Sequence, residues 1–215
     1  MAEAAIPVRP ATRDDGAFLA WVIFTASRGH LPRGWFDIIL EKPEPYCLDF
    51  CRRLVLAEAV SWWHWSLFAV AEIEGEPAGA ACGFLDERVY ARSSDAMREA
   101  ADGIAMPRAE RAALWPRGSF IMSTVSSEAG AWTVENVAVK PAHRGQGVTG
   151  ALLADSFDRA RAAGARRAQI SFLIGNTPAE RAYAKAGFTF AEDKRDAGFE
   201  AAMKSPGTRR FVRDI

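Results

Sequence analysis

The chain has 215 residues, 49% of them hydrophobic and 25% charged, and its 27 Lys+Arg balance 27 Asp+Glu. Such a composition describes an ordinary soluble chain, long enough for one good core and short for two, so one domain over 1–215 is expected. The balanced charge gives no footprint for nucleic acid or an anionic membrane, and no apolar run of 18 residues or signal-peptide layout exists, so a cytoplasmic protein is expected.

Residues 6–10 read as a short first strand, and Thr12 as a helix cap ahead of Asp14 and Asp15. Phe18, Leu19, Val22 and Ile23 then form a helical stripe that stops at Gly29. The stretch 32–45 reads as irregular with a helical turn near 35–40. A second helix is expected over 46–60, with Leu48, Cys51, Leu54 and Val55 inward. Cys47 and Cys51 lie one turn apart in this apolar pattern, which suits packing better than metal or redox chemistry, and with Cys82 they make an odd, sparse set that argues for a reducing compartment. The three histidines, His30, His64 and His143, have no metal-ligand spacing. Trp62, Trp63 and Trp65 read as packing anchors, one of them within reach of a binding pocket. Two strands, 66–73 and 78–85, are joined by a Glu-Gly-Glu-Pro hairpin. Residues 88–116 are polar and helical in pattern, with too few apolar residues to bury a core of their own. An apolar stretch over 119–125 reads as a strand that pairs with 132–139 through a turn at 126–130.

The most informative stretch follows. Residues 137–153 read V-A-V-K-P-A-H-R-G-Q-G-V-T-G-A-L-L: an apolar strand, a Pro-containing turn, Arg144, then three glycines opening an amphipathic helix over about 147–163. Glycines at such a junction let backbone N–H groups approach a phosphate, and the helix start adds positive potential. Lys140, Arg144, Arg159, Arg161, Arg166 and Arg167 gather around this loop and its helix, a solvated helix face accounting for Arg159 and Arg161. The run Gly145-Gln146-Gly147-Val148-Thr149-Gly150 also matches a dinucleotide fingerprint literally. That fingerprint wants its glycine straight off the strand and an acidic residue about 20 positions on. Here residues 140–144 intervene, and the strand over 167–172 has no Asp or Glu. No Gly-Lys-Ser/Thr is present, which excludes a Walker-type loop. Beyond that strand comes Asn176-Thr-Pro-Ala-Glu-Arg-Ala-Tyr183-Ala-Lys-Ala-Gly187-Phe188, and the tail reads as a strand near 189–193, a helix near 197–203 and a strand near 208–213.

These two motifs, in order with a strand between them, resemble the GNAT superfamily of acyl-CoA-dependent N-acyltransferases. Residues 144–147 match its R-G-x-G pyrophosphate loop and residues 176–188 its N-x-x-A-x-x-x-Y-x-x-x-G-F element; the likeness is specific over 132–190 and looser at 6–12. The resemblance implies an α/β fold, a mixed and strongly twisted sheet flanked by helices, with the segment 88–117 as a helical insertion that ordinary members lack. It implies acetyl-CoA as co-substrate, no metal, and transfer of the acetyl group to a primary amine. Arg144, Gly145, Gln146, Gly147, Val148, Thr149 and Gly150 would hold the pyrophosphate. Thr149 departs from the Gly or Ala usual there: its branched side chain crowds the loop, though its hydroxyl could donate to a phosphate. The backbone of Val137, Ala138 and Val139 would bond the pantetheine arm like an added strand, and Asn176 would cap its helix and reach the same arm. Alternation puts Thr133, Glu135, Val137 and Val139 on one face, so Glu135 would lie beside the incoming amine as base. Tyr183 falls on the position that protonates the departing thiolate.

Two rivals stay open: a catalytically idle acyl-CoA-binding module that regulates a partner, and a dinucleotide-dependent oxidoreductase. The partners expected are a small-molecule or peptide amine acceptor and no nucleic acid or membrane, with a homodimer compatible. The segment 88–116, between a central strand and the strand bearing Glu135, is expected to cover the acceptor pocket.

Overall fold

A computed structural model describes residues 5–85 and 88–215. Strand β1 (Val8–Pro10) leads through a single 3₁₀ turn into α1 (Gly16–Arg28). There the Asp15 carboxylate accepts from the Thr12 N–H at 2.7 Å and pairs with Arg9 at 2.8 Å. Helix α1 ends at Gly29, in the left-handed region at φ 59°, with its N–H bonded back to the last turn. Helix α2 (Trp35–Leu40) occupies the turn expected there.

Helix α3 (Glu44–Leu56) begins and ends earlier than its periodicity suggests. Pro43 and Pro45 sit where a helix start tolerates proline, because the first-turn N–H groups have no partner in the helix anyway. At the other end Ala57 turns extended, and the N–H groups of Glu58 and Ala59 go to the Glu99 carboxylate.

The hairpin β2 (Phe68–Ile73) and β3 (Glu76–Phe84) turns on Glu74 and Gly75, both at positive φ, with Pro77 at the start of the second strand. Helices α4 (Arg88–Ala91), α5 (Ser93–Gly103) and α6 (Arg108–Gly118) make up the polar insertion. They are held by Val89, Ala96, Ala100, Ala101, Met106 and Leu114, which bury into the same core as α1 and α3.

The strand expected over 119–125 does not form. Ser119–Ser123 is a 3₁₀ helix, Phe120 packs edge-on against Phe199 at 5.7 Å, and the Thr124 carbonyl accepts from the Thr208 hydroxyl. At residues 133 and 134, where a turn over 126–130 would lay it, both edges of the strand it was to join are already paired. A short apolar run does not by itself distinguish strand from helical turn.

The remaining elements are β4 (Trp132–Val139), α7 (Val148–Ala162), β5 (Arg167–Leu173), α8 (Thr177–Lys185), β6 (Thr189–Arg195), α9 (Ala197–Met203) and β7 (Gly207–Asp214). The seven strands form one mixed sheet in the order β1-β2-β3-β4-β5-β7-β6. Every pairing is antiparallel except β4 with β5.

Helices α1 and α3 cover one face of the N-terminal strands, through Leu19, Ile23, Phe50 and Leu54 against Val70, Cys82 and Phe84. Helix α7 lies on the other face, with Leu152 against Ala71 and Ala81 and with Leu153 and Phe157 against Val134 and Ile170. Each such fully buried Leu, Ile or Phe contributes about 1.5–3 kcal/mol relative to exposure. All three cysteines are buried and free. Among the described residues no helix is long and apolar enough to cross a membrane.

Arg159 does not belong to a solvated helix face. It lies about three turns along α7 from its start, spans to the Leu67 and Gly83 carbonyls at 3.1 and 3.3 Å, and sits over the Trp132 ring. Arg167 pairs with Glu128 at the start of β5 and Arg161 with Asp158 on α7, while Lys140 and Arg144 belong to the loop itself.

Candidate active site

Strand β4 delivers the chain into the Gly-rich loop. After Val139 the Lys140 N–H bonds the Ala78 carbonyl at 2.8 Å, and Pro141–His143 make one 3₁₀ turn. Gly145 and Gly147 then take φ of 78° and 85°, a conformation that side chains resist. Gly147 precedes α7, and no side chain caps that helix start. The first-turn N–H groups of Val148, Thr149 and Gly150 therefore lack intrahelical partners and keep the positive end of the helix dipole open. Arg144 is exposed beside them. Gln146 turns back to donate to the Ala142 carbonyl at 3.0 Å, bracing the loop.

Beside the loop the sheet opens. β4 and β5 pair only from Trp132 to Val134 against Ala168 to Ile170. Beyond Val134 the edge of β4 that faced β5 has no strand partner, so backbone groups of residues 135–139 on that side are available to an extended ligand. The cause lies within β4. Asn136 adopts φ 49°, and the register against β3 slips between Ala80 and Cys82. This is a bulge, with the extra residue on β4.

The bulge corrects the expected facing of this strand. Glu135 lies opposite Cys82, and Ala138 packs into the α1–α3 core together with Cys82. Val137 and Val139 pack on the α7 side with Val148 and Leu152. Glu135 therefore does not share a face with Val137 and Val139. The single alternation assumed from sequence is broken at one residue.

Glu135 is crowded by protein while part of its surface stays open to a cleft, and burial pushes its carboxyl up to about 7. The Tyr90 hydroxyl, from α4, donates to its Oε1 at 3.0 Å and pulls the other way, favouring the carboxylate. Burial dominates, as expected where one hydrogen bond replaces a full hydration shell. Tyr183, on α8, is buried between Phe172 and Phe188, with ring separations of 5.4 and 6.3 Å. Its phenol is held well above its ordinary value, first by burial and second by the charge of Glu135, so the two groups sense one another. The Asn176 side chain accepts from the Ala179 N–H at 3.3 Å and caps α8.

One cleft of about 1920 Å³ brings these parts together. Its walls include Glu135, Val137, Ala138, Val139, Arg144, Gly145, Gly147, Val148, Thr149, Gly150, Asn176 and Tyr183. Of the catalytic and cofactor-binding residues expected from sequence, Gln146 alone is not on its wall. Helices α4, α5 and α6 close the far side with Tyr90, Met97 and Leu114. The insertion thus stands across the cleft from the Gly-rich loop. Among the described residues no group of three His, Cys, Asp or Glu side chains could hold a metal ion.

Sequence reasoning missed two residues of this site. Tyr90 stands in a polar insertion with no motif, and only the fold carries it to Glu135. Asn136 left a faint signal: asparagine is among the few residues, glycine apart, that tolerate positive φ, and with Glu135 it sets two polar residues side by side in an alternating strand.

The model of the Acetyltransferase (GNAT) family matches residues 35–188. A search of curated proteins finds no match. Among solved structures, one of an acetyltransferase is similar at a TM-score of 0.67 with 19% identity, covering 97% of this chain and 99% of the other. An N-acetyltransferase from Staphylococcus aureus Mu50 is similar at 0.67 with 17% identity, covering 96% and 100%. A polyamine N-acetyltransferase from Drosophila melanogaster that forms N-acetylagmatine is similar at 0.55 with 16% identity, covering 98% and 100%.

Proposed function

The chain belongs to the GNAT acetyltransferase family, whose acyl donor is acetyl-CoA, and from that premise we propose a specific reaction for it. The whole chain acts as one catalytic domain that moves an acetyl group directly from acetyl-CoA to a primary amine. Glu135 is the base and Tyr183 the acid. The observation that carries this reading is that Glu135 and the buried phenol of Tyr183 line one cleft together with the Gly-rich loop; burial there pushes the carboxyl up and keeps the phenol protonated.

The residues present fit the donor. Gly145 and Gly147 at positive φ and the uncapped start of α7 form a cradle for a pyrophosphate, with Arg144 as counter-charge and the Thr149 hydroxyl as a further donor. The free edge of β4 at Val137, Ala138 and Val139 suits the amide-bearing pantetheine arm, with Asn176 across from it. When bound, acetyl-CoA supplies an activated thioester carbonyl.

The chain's own task is then proton traffic and positioning. An amine arriving as ammonium must lose two protons to become an amide. Glu135, half-ionised near neutral pH, takes one, directly or through water, and passes it to solvent. The second leaves as nitrogen bonds to carbon and the carbon–sulfur bond breaks. Tyr183 gives its proton to the departing thiolate, and the proton from nitrogen, relayed through water, restores the phenol, so one proton in all is released to solvent. The raised phenol pKa keeps Tyr183 protonated until that step. Holding amine and thioester together contributes most of the acceleration, and each proton transfer adds about 10²–10⁴-fold.

Thiol release from acetyl-CoA in the presence of primary amines tests the reading. Tyr183→Phe is expected to lower turnover across the pH range while acetyl-CoA affinity stays nearly unchanged. Tight acetyl-CoA binding without thiol release for any amine would instead identify an idle acyl-CoA-binding module.

A further inference from the structure

The wall of the cleft beyond Glu135 is aromatic, and it runs on from the base without a break. The ring of Tyr90, whose hydroxyl holds Glu135, lies 5.5 Å from Trp62. Trp62 lies 4.8 Å from Trp63, and Trp63 stacks on Trp35 at 6.2 Å. All four residues line the cleft, Trp63 as the nearly buried floor between the half-buried Trp62 and Trp35. The indole N–H groups are already spent, Trp62 on the Ser93 hydroxyl and Trp35 on the Gly118 carbonyl, each at 3.1 Å. What those two residues present to a ligand is ring surface.

Toward the mouth the wall stays apolar. Trp115 is 65% exposed, Met122 57% and Val125 55%, and all three line the same cleft. Large apolar side chains left in water around a pocket mark a surface that binds something apolar.

The charges say what the ligand lacks. Among the described residues, the acids that line the cleft are Glu135 and Asp158. Asp158 lies on α7, beyond the Gly-rich loop, and is held by Arg161 at 2.8 Å. The arginines that α5 and α6 bring to the cleft, Arg98 and Arg111, hold Asp95 at 2.7 Å and Asp102 at 2.6 Å. Among the described residues, no carboxylate besides Glu135 stands beside the aromatic wall to meet a second ammonium on the acceptor. A carboxylate beside this wall would meet two arginines that already hold acids of α5. Burying either charge unpaired is costly. A single ammonium is different: aromatic faces attract it on entry, and Glu135 then removes its proton.

Resting on the acetyl-transfer reading above, we infer that the acceptor is a primary monoamine carried on an uncharged aromatic body, of the arylalkylamine kind, which lies along Tyr90, Trp62, Trp63 and Trp35. Polyamines and acidic amino acids are disfavoured by the same wall.

The test compares kcat/KM in a thiol-release assay for 2-phenylethylamine and tryptamine with spermidine, agmatine and glutamate. The aromatic amines are expected to lead by about 10²-fold or more, since lost apolar contact and an unpaired charge act together. Trp62→Ala should raise KM for 2-phenylethylamine at least about tenfold while leaving KM for acetyl-CoA within about twofold. A preference for spermidine, agmatine or glutamate overturns the inference and leaves acetyl transfer standing, and so does an unchanged KM in a folded Trp62→Ala. Absence of thiol release with every amine overturns acetyl transfer itself.

Discussion

Glu135 shows what one buried carboxyl costs and what it makes possible. Its folded-state value of about 7 lies above the ordinary carboxylate value of 4.5, so between those two pH values the folded chain binds more protons than the unfolded one. Stability therefore falls as pH rises from about 4.5 to 7 and stays lowered above that. Glu135→Gln keeps an acceptor for the Tyr90 hydroxyl and removes the buried charge. It is expected to be more stable than the parent by about 1–3 kcal/mol at pH 8, with the gap closing toward pH 5; denaturant midpoints at the two pH values check this. Tyr90 acts on the same group in the opposite sense. Its hydroxyl favours the carboxylate, so Tyr90→Phe should move the ascending limb of the pH–rate profile to higher pH, whereas a merely structural role would lower the rate without moving the limb.

At the scale of elements, the Gly-rich loop and the helix it opens were legible in sequence because they answer to local rules. Gly145 and Gly147 sit where only glycine is comfortable, and α7 starts within one residue of its expected place. The motif at Asn176 was equally local, since a side-chain cap and a helical period define it. What could not be read is what depends on neighbours. The 3₁₀ turn Ser119–Ser123 was mistaken for a strand because the start of β4, at Thr133 and Val134, is flanked by β3 and β5, and occupancy of a sheet edge has no local signature. The bulge at Asn136 reversed the facing of Val137 and Val139 relative to Glu135, and period-2 reasoning fails after a single inserted residue. The loop carries its own prediction. Gly147→Val combines a β-branched side chain with φ 85° at the helix start, so acetyl-CoA binding measured by calorimetry should weaken by about 10²-fold or more, while an unchanged affinity would remove the loop from the binding account.

Across the whole molecule, the site arises from a sheet that fails to stay closed. β4 and β5 part after three paired residues, helix α7 and its loop approach the opening from one side, and the insertion α4–α6 stands across it. The insertion was expected to cover the acceptor pocket within the one domain. It is also part of the main core through Ala96, Ala100, Ala101 and Leu114, so its removal would open that core as well as the cleft. Its contribution is better probed at the surface: Trp115→Ser, an exposed position at the mouth, should raise KM for an aromatic amine several-fold and leave the unfolding midpoint nearly unchanged.

The central claim is that Glu135 takes the proton of the incoming amine, and the pH dependence of kcat/KM in the parent and in Glu135→Gln tests it most directly. The account predicts an ascending limb near pH 7 in the parent. In Glu135→Gln that limb should vanish, with turnover lowered about 10²–10⁴-fold below the pKa of the amine and partly restored above it, where the amine deprotonates unaided. A folded Glu135→Gln with the parent's rate and the parent's limb would contradict the account and leave positioning alone to carry the reaction.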